Sequence, residues 1–512
     1  MQVLQKLPIS GSTADKPQSK VWQHDNTWWS ALSDQGNSFL YRLDGNRWTQ
    51  VLQLSTLKSR ADTKEVGDVT HVLLLGKSVS QLVSLQYVPG AGIAPGTYKF
   101  WSQRPMASFV PISAATGAES ATIDVDCQGR MWLVSDSFND IQVRYSDSPY
   151  RTWSPPIVLD SNVSPDDISV VTALPDCKVG VLWSNQVTHR FGFRVHAVGA
   201  DPKDWSPDEM PGSDSAQGTR KGLADDHINV AVASDGTLYA AVKTPFDRVG
   251  LPWVGWLVRR PSGQWDPLYT VVDNQVGTRP IVLLNEKLGR LLVAYSVTEG
   301  GAGDILYTES ATAPIAFGPA KALFKGSFNN PTSTKQNWTD SVVIVAGEST
   351  PSTPAGQPPS PKGSDLIVSA LLTTNGPAKT NAAPQVNAGA DQTVRLSQLV
   401  KLQGKVKDDG LPKPPGKVST TWTQVSGPGT VTFAKAASAS TTAKFSAPGI
   451  YVLRLTADDG SFQTTDELTI TVGQLQPRVA AVTGLRGRVP RSDAVDSVLA
   501  GRKMMDLFFN LF

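Results

Sequence analysis

The stretch LADDHINVAVASDGTLYAAVKT, residues 223–244, contains two runs in which apolar residues alternate with other residues. Such alternation is typical of β-strands, and the Asp235-Gly236 pair between the runs predicts a tight hairpin turn. The pattern does not account for Asp225, Asp226 and His227, which stand directly before the first predicted strand. The stretch therefore predicts a hairpin with a charged start, which is either a functional site or a solvated strand end.

Similar segments recur at intervals of roughly fifty residues along most of the chain. One is the apolar hairpin just described, and the other is a strand that ends in a turn and a tryptophan, as in HAVGADPKDW at 196–205. Together they predict units of four short strands that begin near residues 21, 65, 118, 164, 222, 276 and 328. Four-stranded units at this spacing form a β-propeller around a central channel. The recurrent tryptophans are predicted to pack between blades; they are Trp48, Trp153, Trp205 and Trp265.

Composition favours an all-β protein with more than one domain. The 512 residues include 43 glycines and 36 prolines, and only 18% are charged. The net charge of +2 gives no reason to expect nucleic acid as a partner. No apolar run is long enough to cross a bilayer, and the first residues lack the apolar core of a signal peptide. We therefore expect no transmembrane segment, and a secreted form would have lost its signal or would use another route.

Residues 385–473 predict a second domain, because short alternating strands separated by Gly, Pro and Asp turns favour an Ig-like β-sandwich. A last propeller strand is predicted at 364–374, and the linker at 375–384. Acids in the second domain could bind Ca²⁺ through oxygen ligands or could simply form turns. These acids are Asp391, Asp408, Asp409 and Asp458.

The chain ends fall outside these domains. Residues 1–20 are predicted as an N-terminal extension before the propeller, which covers 21–374. Residues 474–512 form a basic, irregular tail in which a short helix is predicted from Asp493, able to dock on a partner or a membrane surface.

Two cysteines occupy equivalent points of neighbouring repeats. Cys127 and Cys177 each follow an aspartate in a predicted turn. They form either a bridge between adjacent hairpins, which would favour an oxidising compartment, or two half-buried thiols.

Short motifs add family resemblances. Tyr145-Ser146-Asp147 followed by Thr152-Trp153 resembles a degenerate Asp-box, the BNR-type turn of sialidase-like propellers. The stretches DDHINVAV, TRPIVLLN and NNPTSTKQN are similar to those of an uncharacterised family of bacterial secreted propellers. The stretches NAGAD, SGPG and PGIY, together with Trp422, resemble PKD domains. The resemblances imply an all-β fold, a seven-bladed β-propeller followed by an Ig-like PKD β-sandwich, in an extracellular or cell-envelope protein of bacteria. The Arg-Ile-Pro motif of true sialidases is missing from the sequence, so sialidase activity is not expected.

The predicted site is the channel mouth, where polar residues precede the innermost strand of several blades. Asp68, Glu119, Asp166 and Asp167 take this position in the earlier repeats. Convergent polar groups held by a rigid scaffold are typical of ligand sites. The predicted ligand-binding residues are Asp225, Asp226, His227, Lys243, Arg279 and Lys335.

Three functions are compatible with this sequence. The first, which we favour, is binding of a polysaccharide or cell-surface glycan, with the PKD domain as a spacer or a contact for a protein partner. The second is a glycan-active lyase or hydrolase in which His227 is the catalytic base and Arg279 and Lys335 neutralise a uronate. The third is an adhesion or scaffold protein in which the charged residues form a structural network. No cofactor other than the possible Ca²⁺ is expected, because the five histidines show no metal-ligand spacing. Trp28 and Trp29 could offer a sugar-stacking surface, with one ring buried and the other exposed.

Overall fold

The computed structural model describes residues 1–9, 13–14, 18–91, 95–212, 223–246, 248–273, 276–298, 303–348, 366–373, 382–410 and 417–474. The chain divides into two compact units, Met1–Lys379 and Thr380–Phe512. The described residues form β-strands, with short 3₁₀ turns at Ala114–Thr116 and Glu286–Leu288, which confirms the all-β prediction. Within these ranges, no helix has the length and apolar character needed to span a membrane.

The first unit contains five separate antiparallel sheets, each built from strands that follow one another in sequence. Before them come β1 (Gln2–Val3) and β2 (Leu7–Pro8). The first sheet contains β3 (Val21–His24), β4 (Thr27–Asp34), β5 (Asn37–Asp44) and β6 (Arg47–Ser55). The second contains β7 (Ser59–Val66), β8 (Val69–Gly76), β9 (Ser80–Val88), β10 (Thr97–Phe100) and β11 (Ser108–Val110). The third contains β12 (Ala121–Val125), β13 (Met131–Ser137), β14 (Asp140–Ser146) and β15 (Ile157–Ser161).

The fourth and fifth sheets follow the same pattern. The fourth contains β16 (Ser169–Leu174), β17 (Lys178–Asn185) and β18 (Arg190–Ala197). The fifth contains β19 (Ile228–Val232), β20 (Leu238–Lys243), β21 (Val254–Arg259) and β22 (Tyr269–Val272). An eight-stranded sheet contains β1, β2, β23 (Thr278–Asn285), β24 (Arg290–Ser296), β25 (Gly303–Ala311), β26 (Lys321–Thr332), β27 (Ser341–Glu348) and β28 (Leu366–Thr373).

The long strand β26 divides the eight-stranded sheet into two groups. Its first half pairs with β25, and its second half pairs with β27 after an irregularity. Counted as two blades, this sheet would bring the number to the predicted seven. The predicted strand at 364–374 is confirmed as β28, which pairs along its length with β27.

The N-terminal strands complete the same sheet. Gln2 pairs with Leu371, and Leu7 pairs with Ile367, so β1 and β2 form the edge next to β28. The prediction that residues 1–20 are an extension outside the propeller is therefore wrong. These strands are only two residues long, so they carry no alternation that a sequence pattern could reveal.

The innermost strands form a ring, which is the arrangement of a β-propeller. Contacts run from β3 to β7, β12, β16, β19, β23 and β26 in turn, and β27 returns to β3. Side chains of one inner strand satisfy the backbone of the next, because these strands are sheet edges with unpaired N–H groups. Asp62 accepts a hydrogen bond from Ile123 N at 2.8 Å, and Asn229 accepts one from Val282 N at 2.8 Å.

Hydrophobic clusters lie between consecutive sheets and contain the recurrent tryptophans. Trp48 is 4% exposed and packs between the first and last sheets, where its Nε1 donates to Ser369 Oγ at 3.0 Å. Trp153, Trp205 and Trp265 pack against the next clusters around the ring, as predicted. Trp28 and Trp29 are both buried, so the prediction that one is exposed for sugar stacking is wrong.

A disulfide joins the third and fourth sheets. Cys127 and Cys177 are bonded, and their Cα atoms lie 5.3 Å apart. The bridge anticipated as one of two alternatives is therefore present, at equivalent turns of adjacent sheets.

The second unit is a small all-β domain with its own core. Its strands are β29 (Gln385–Asn387), β30 (Gln392–Arg395), β31 (Val400–Gln403), β32 (Lys405–Lys407), β33 (Ser419–Ser426), β34 (Val431–Phe433), β35 (Ser440–Phe445), β36 (Gly449–Asp458) and β37 (Gln463–Gly473). The largest sheet has the order β30-β37-β36-β33, and a second has the order β31-β35-β34. Trp422 lies in the core between them, and its Nε1 donates to Ala439 O at 3.0 Å. The predicted helix from Asp493 lies outside the described residues.

Candidate functional site

Five of the six predicted ligand-binding residues come together at the upper end of the channel, where the inner strands begin. Asp225, Asp226 and His227 precede β19, and Lys243 ends β20. The β19–β20 pairing places them side by side, because Lys243 N donates to His227 O at 2.9 Å. Arg279 follows Thr278 at the start of β23. We call these five residues and Thr278 the upper group.

Most contacts of the upper group are internal. Lys243 Nζ lies 3.2 Å from Asp225 Oδ2 and 3.7 Å from Asp226 Oδ1. Asp226 Oδ1 contacts His227 Nδ1, and the other ring nitrogen, Nε2, is 3.4 Å from Thr278 Oγ1. Arg279 Nη1 also approaches Thr278 Oγ1, at 3.5 Å. Arg279 has a left-handed backbone (φ +53°) beside an irregularity in the β23–β24 pairing, which is a strained conformation for a residue with a side chain.

His227 is badly placed for acid–base catalysis on a large substrate. The residue is only 1% exposed, and its Nδ1 is committed to Asp226. A general base must come within hydrogen-bond reach of the substrate proton. The arrangement fixes the imidazole as part of a buried network rather than presenting it to the channel.

Asp225 carries the clearest electrostatic perturbation in the upper group. Burial raises the pKa of its carboxyl to about 7, the neighbouring Asp226 adds to the shift, and Lys243 opposes it. The folded protein therefore retains a proton here between about pH 4 and pH 7 that an unfolded chain would lose. The contribution of Asp225 to stability is present at low pH and is lost as the pH rises toward 7.

We expect Asp225→Asn to remove this dependence while leaving Lys243 its contact with Asp226. One pKa unit corresponds to about 1.4 kcal/mol, so the fall in unfolding free energy between pH 5 and pH 8 should shrink by an amount on the order of 2 kcal/mol. Urea denaturation at both pH values measures it. The exposed Asp166→Asn is the matched control, and an equal slope in both variants would contradict the assignment.

Lys335 does not join the upper group. Its Nζ contacts Asp62 Oδ2 and donates to Ile123 O at 3.1 Å, deeper in the ring. Burial raises the pKa of Asp62, while Lys335 and the backbone N–H groups of Ile123 and Ser19 act against that shift. We take the pair as ionised because the carboxylate accepts all three bonds. The grouping of Lys335 with His227 was wrong because strand order alone does not show how far along the channel a side chain lies.

The other acids predicted at the mouth also have local partners. Asp68 lies in the β7–β8 turn, at the opposite end of its inner strand, and its Oδ1 is 3.4 Å from His24 Nε2. The second unit of the repeat begins at β7, before the predicted residue 65, which explains the misplacement. Asp167 is fully buried and accepts from the backbone N–H groups of Ser164 and Gln186. These acids stabilise turns rather than form a site.

Residues from the N-terminal segment close the upper end of the channel. Gln18 Nε2 donates to Ala121 O at 2.8 Å, and Gln18 O accepts from Thr332 Oγ1 at 3.1 Å. Ser19 N donates to Asp62 Oδ1 at 2.8 Å, and both Gln18 and Ser19 are buried. The predicted mouth is therefore occupied by the chain itself.

A cavity opens at the lower end, where the inner strands end. Its volume is about 390 Å³, within the range of ligand pockets. Apolar walls come from 170–173 of β16 and 230–233 of β19. Polar and charged groups come from several sheets: Lys64, Asp124, Glu286, Lys335 and Asn337. We call this space the lower cavity.

Sequence reasoning missed most of the polar lining. Lys64 and Asp124 lie inside inner strands, where Lys64 Nζ is 2.6 Å from Asp124 Oδ1. The signal was present as polar residues at alternate positions of ADTKEV and ATIDV. We had taken these runs as apolar because their other face is buried between sheets.

The acids predicted as calcium ligands form turns in the second unit. Asp391 accepts from Thr469 N, Asp408 from Gly410 N and Asp458 from Gly460 N, at 2.7, 2.8 and 2.7 Å. Asp409 accepts from Ala382 N at 3.1 Å. Over the described ranges, the residues that gather as possible metal ligands are Asp225, Asp226 and His227 instead. There, the ammonium of Lys243 already supplies a positive charge.

The strand pattern, Trp422 and the turn sequences of this unit agree with a comparison against protein families. Residues 388–472 match the PKD domain family. The PKD domain thus accounts for the second unit as predicted from its motifs.

Solved structures resemble the chain at low identity. An ulvan lyase from a new polysaccharide lyase family is 8% identical, with a TM-score of 0.44 over 67% of this chain and 93% of its own. An α-L-arabinofuranosidase from Fusarium graminearum is 12% identical, with a TM-score of 0.39 over 73% of this chain and 98% of its own. A sialidase described as Hadza microbial is 12% identical, with a TM-score of 0.34 over 67% of this chain and 73% of its own.

Proposed function

We propose that the protein is a carbohydrate-binding protein of the cell exterior or envelope, and that its ligand occupies the lower cavity. The observation that carries the proposal is this concave space of about 390 Å³, with charged and amide groups from several sheets around apolar walls. Binding sites of this kind combine a preformed concavity with a few oriented polar groups.

The chemistry of the lining suits a sugar. Carboxylates of Asp124 and Glu286 accept hydrogen bonds from hydroxyl groups, whereas the side chains of Lys335 and Asn337 donate them. The Val and Ala walls offer apolar contact for the C–H face of a sugar ring. The Cys127–Cys177 disulfide supports an oxidising, extracellular setting, in which the PKD domain would act as a spacer or contact module.

A second candidate function is a glycan lyase or hydrolase, for which the Asp226–His227 contact is the supporting observation. An acid that fixes one imidazole nitrogen leaves the other available for proton transfer. The burial of His227 weighs against this use, so binding without chemistry is preferred.

The test is a polysaccharide array probed with the full chain and two variants. Thr172→Trp places an indole in the lower cavity and should weaken binding at least about tenfold, a loss of roughly 1.4 kcal/mol. The matched control is Thr97→Trp, on the exposed edge strand β10, which should bind normally. Binding that survives Thr172→Trp would overturn the proposed location.

A third variant separates the two ends of the channel. His227→Ala with Arg279→Ala should leave binding unchanged, because these residues lie in the upper group. Loss of binding in this variant alone would return the site to the upper end. Release of unsaturated or reducing sugar products by the unmodified protein would favour the enzyme instead.

A further inference from the structure

The charges around the lower cavity define which sugars it can accept. Both ammonium groups already have anionic partners: Lys335 contacts Asp62, and Lys64 contacts Asp124 at 2.6 Å. Lys335 also donates to the carbonyl oxygen of Ile123. An acidic ligand would therefore have to compete with a carboxylate that is fixed in place for each of these cations.

A further carboxylate makes the surroundings net negative. Glu286 lines the cavity, and its oxygens accept from neutral donors, namely Ser234 N at 3.0 Å and the side-chain amide of Asn337. Two ammonium groups thus face three carboxylates, those of Asp62, Asp124 and Glu286. In a partly enclosed space such charges are screened less than on an open surface, so a second anion is repelled.

We propose that the lower cavity binds non-acidic sugar units and discriminates against uronates and sulfated sugars. This inference rests on the proposed function and specifies its ligand class. A hydroxyl group can donate to Asp124 or Glu286 and accept from Lys64 or Lys335 without breaking either ion pair. A carboxylate or sulfate can only accept, so it would leave the cavity acids without a new donor and add like charge. This reverses the sequence-based hypothesis in which Lys335 neutralises a uronate.

The test compares oligosaccharides that differ only in acidity. Tetramers of glucose, galactose and mannose are titrated into the full chain beside the corresponding tetrauronates, with binding followed by calorimetry. The neutral member of at least one pair should bind about tenfold or more tightly than its acidic counterpart, and changing NaCl from 50 to 500 mM should alter its affinity less than about twofold.

Glu286→Gln supplies the decisive variant, because it keeps the shape of the lining and removes one negative charge. It should improve uronate binding several-fold and so narrow the difference between the pair. Glu348→Gln, at the exposed end of β27 outside the lining, should change neither affinity. Uronates that bind more tightly than neutral sugars, with a steep loss at high salt, would overturn this inference and leave carbohydrate binding intact. Failure of every neutral and acidic sugar to bind would overturn the proposed function itself.

Discussion

Replacing Asp62 with alanine should lower the free energy of unfolding of the first unit by about 3–5 kcal/mol, because it leaves a buried cation without its partner. Asp62 has no exposed surface and accepts from Ser19 N and Ile123 N at 2.8 Å each, in addition to its contact with Lys335. The substitution therefore removes the connections between the N-terminal segment, β7, β12 and the segment after β26. Urea denaturation at pH 7, followed by tryptophan fluorescence, measures the loss.

Two further variants show whether the lost ion pair is the cause. Adding Lys335→Met to Asp62→Ala removes the unpaired ammonium and should recover part of the loss. Asp208→Ala is the surface control, since Asp208 is half exposed and its pair with Arg194 should contribute less than about 1 kcal/mol. If Asp62→Ala costs no more than Asp208→Ala, the role given to Asp62 in closing the ring is wrong.

Removing the disulfide should have a comparable effect. Cys127 and Cys177 are 50 residues apart, and loop closure of that length corresponds to about 4 kcal/mol in the unfolded-state model. The double variant Cys127→Ser with Cys177→Ser should therefore unfold at clearly lower urea concentration than the oxidised protein. The reduced unmodified chain should match the double variant, which excludes an effect of the serines. Equal midpoints for oxidised and reduced chains would show that the bridge adds no stability.

The sequence predicted the parts of the fold that repeat locally. Alternation located the hairpins, and the recurrent Trp48, Trp153, Trp205 and Trp265 marked the packing between sheets. The pairing of Gln2 with Leu371 could not be predicted, because two-residue strands have no period and their partners lie at the far end of the unit.

The candidate site was predicted less well for a related reason. Residues adjacent in sequence or across one hairpin, such as Asp225, His227 and Lys243, were grouped correctly. Which end of the channel is closed depends on Gln18 and Ser19, whose contacts reach strands more than forty residues away. Burial was also invisible, since nothing in DDHINVAV distinguishes a histidine facing solvent from one that is 1% exposed.

The pairing of the first residues with β28 also sets the order in which the protein can be completed during synthesis. At roughly 5–20 residues per second, β1 and β2 leave the ribosome tens of seconds before Leu366–Thr373 exist. Throughout that interval the growing chain has an open sheet edge and no final strand to receive its first residues. Truncated products that stop before Leu366 would keep this edge exposed, which makes them natural targets for proteases and for aggregation.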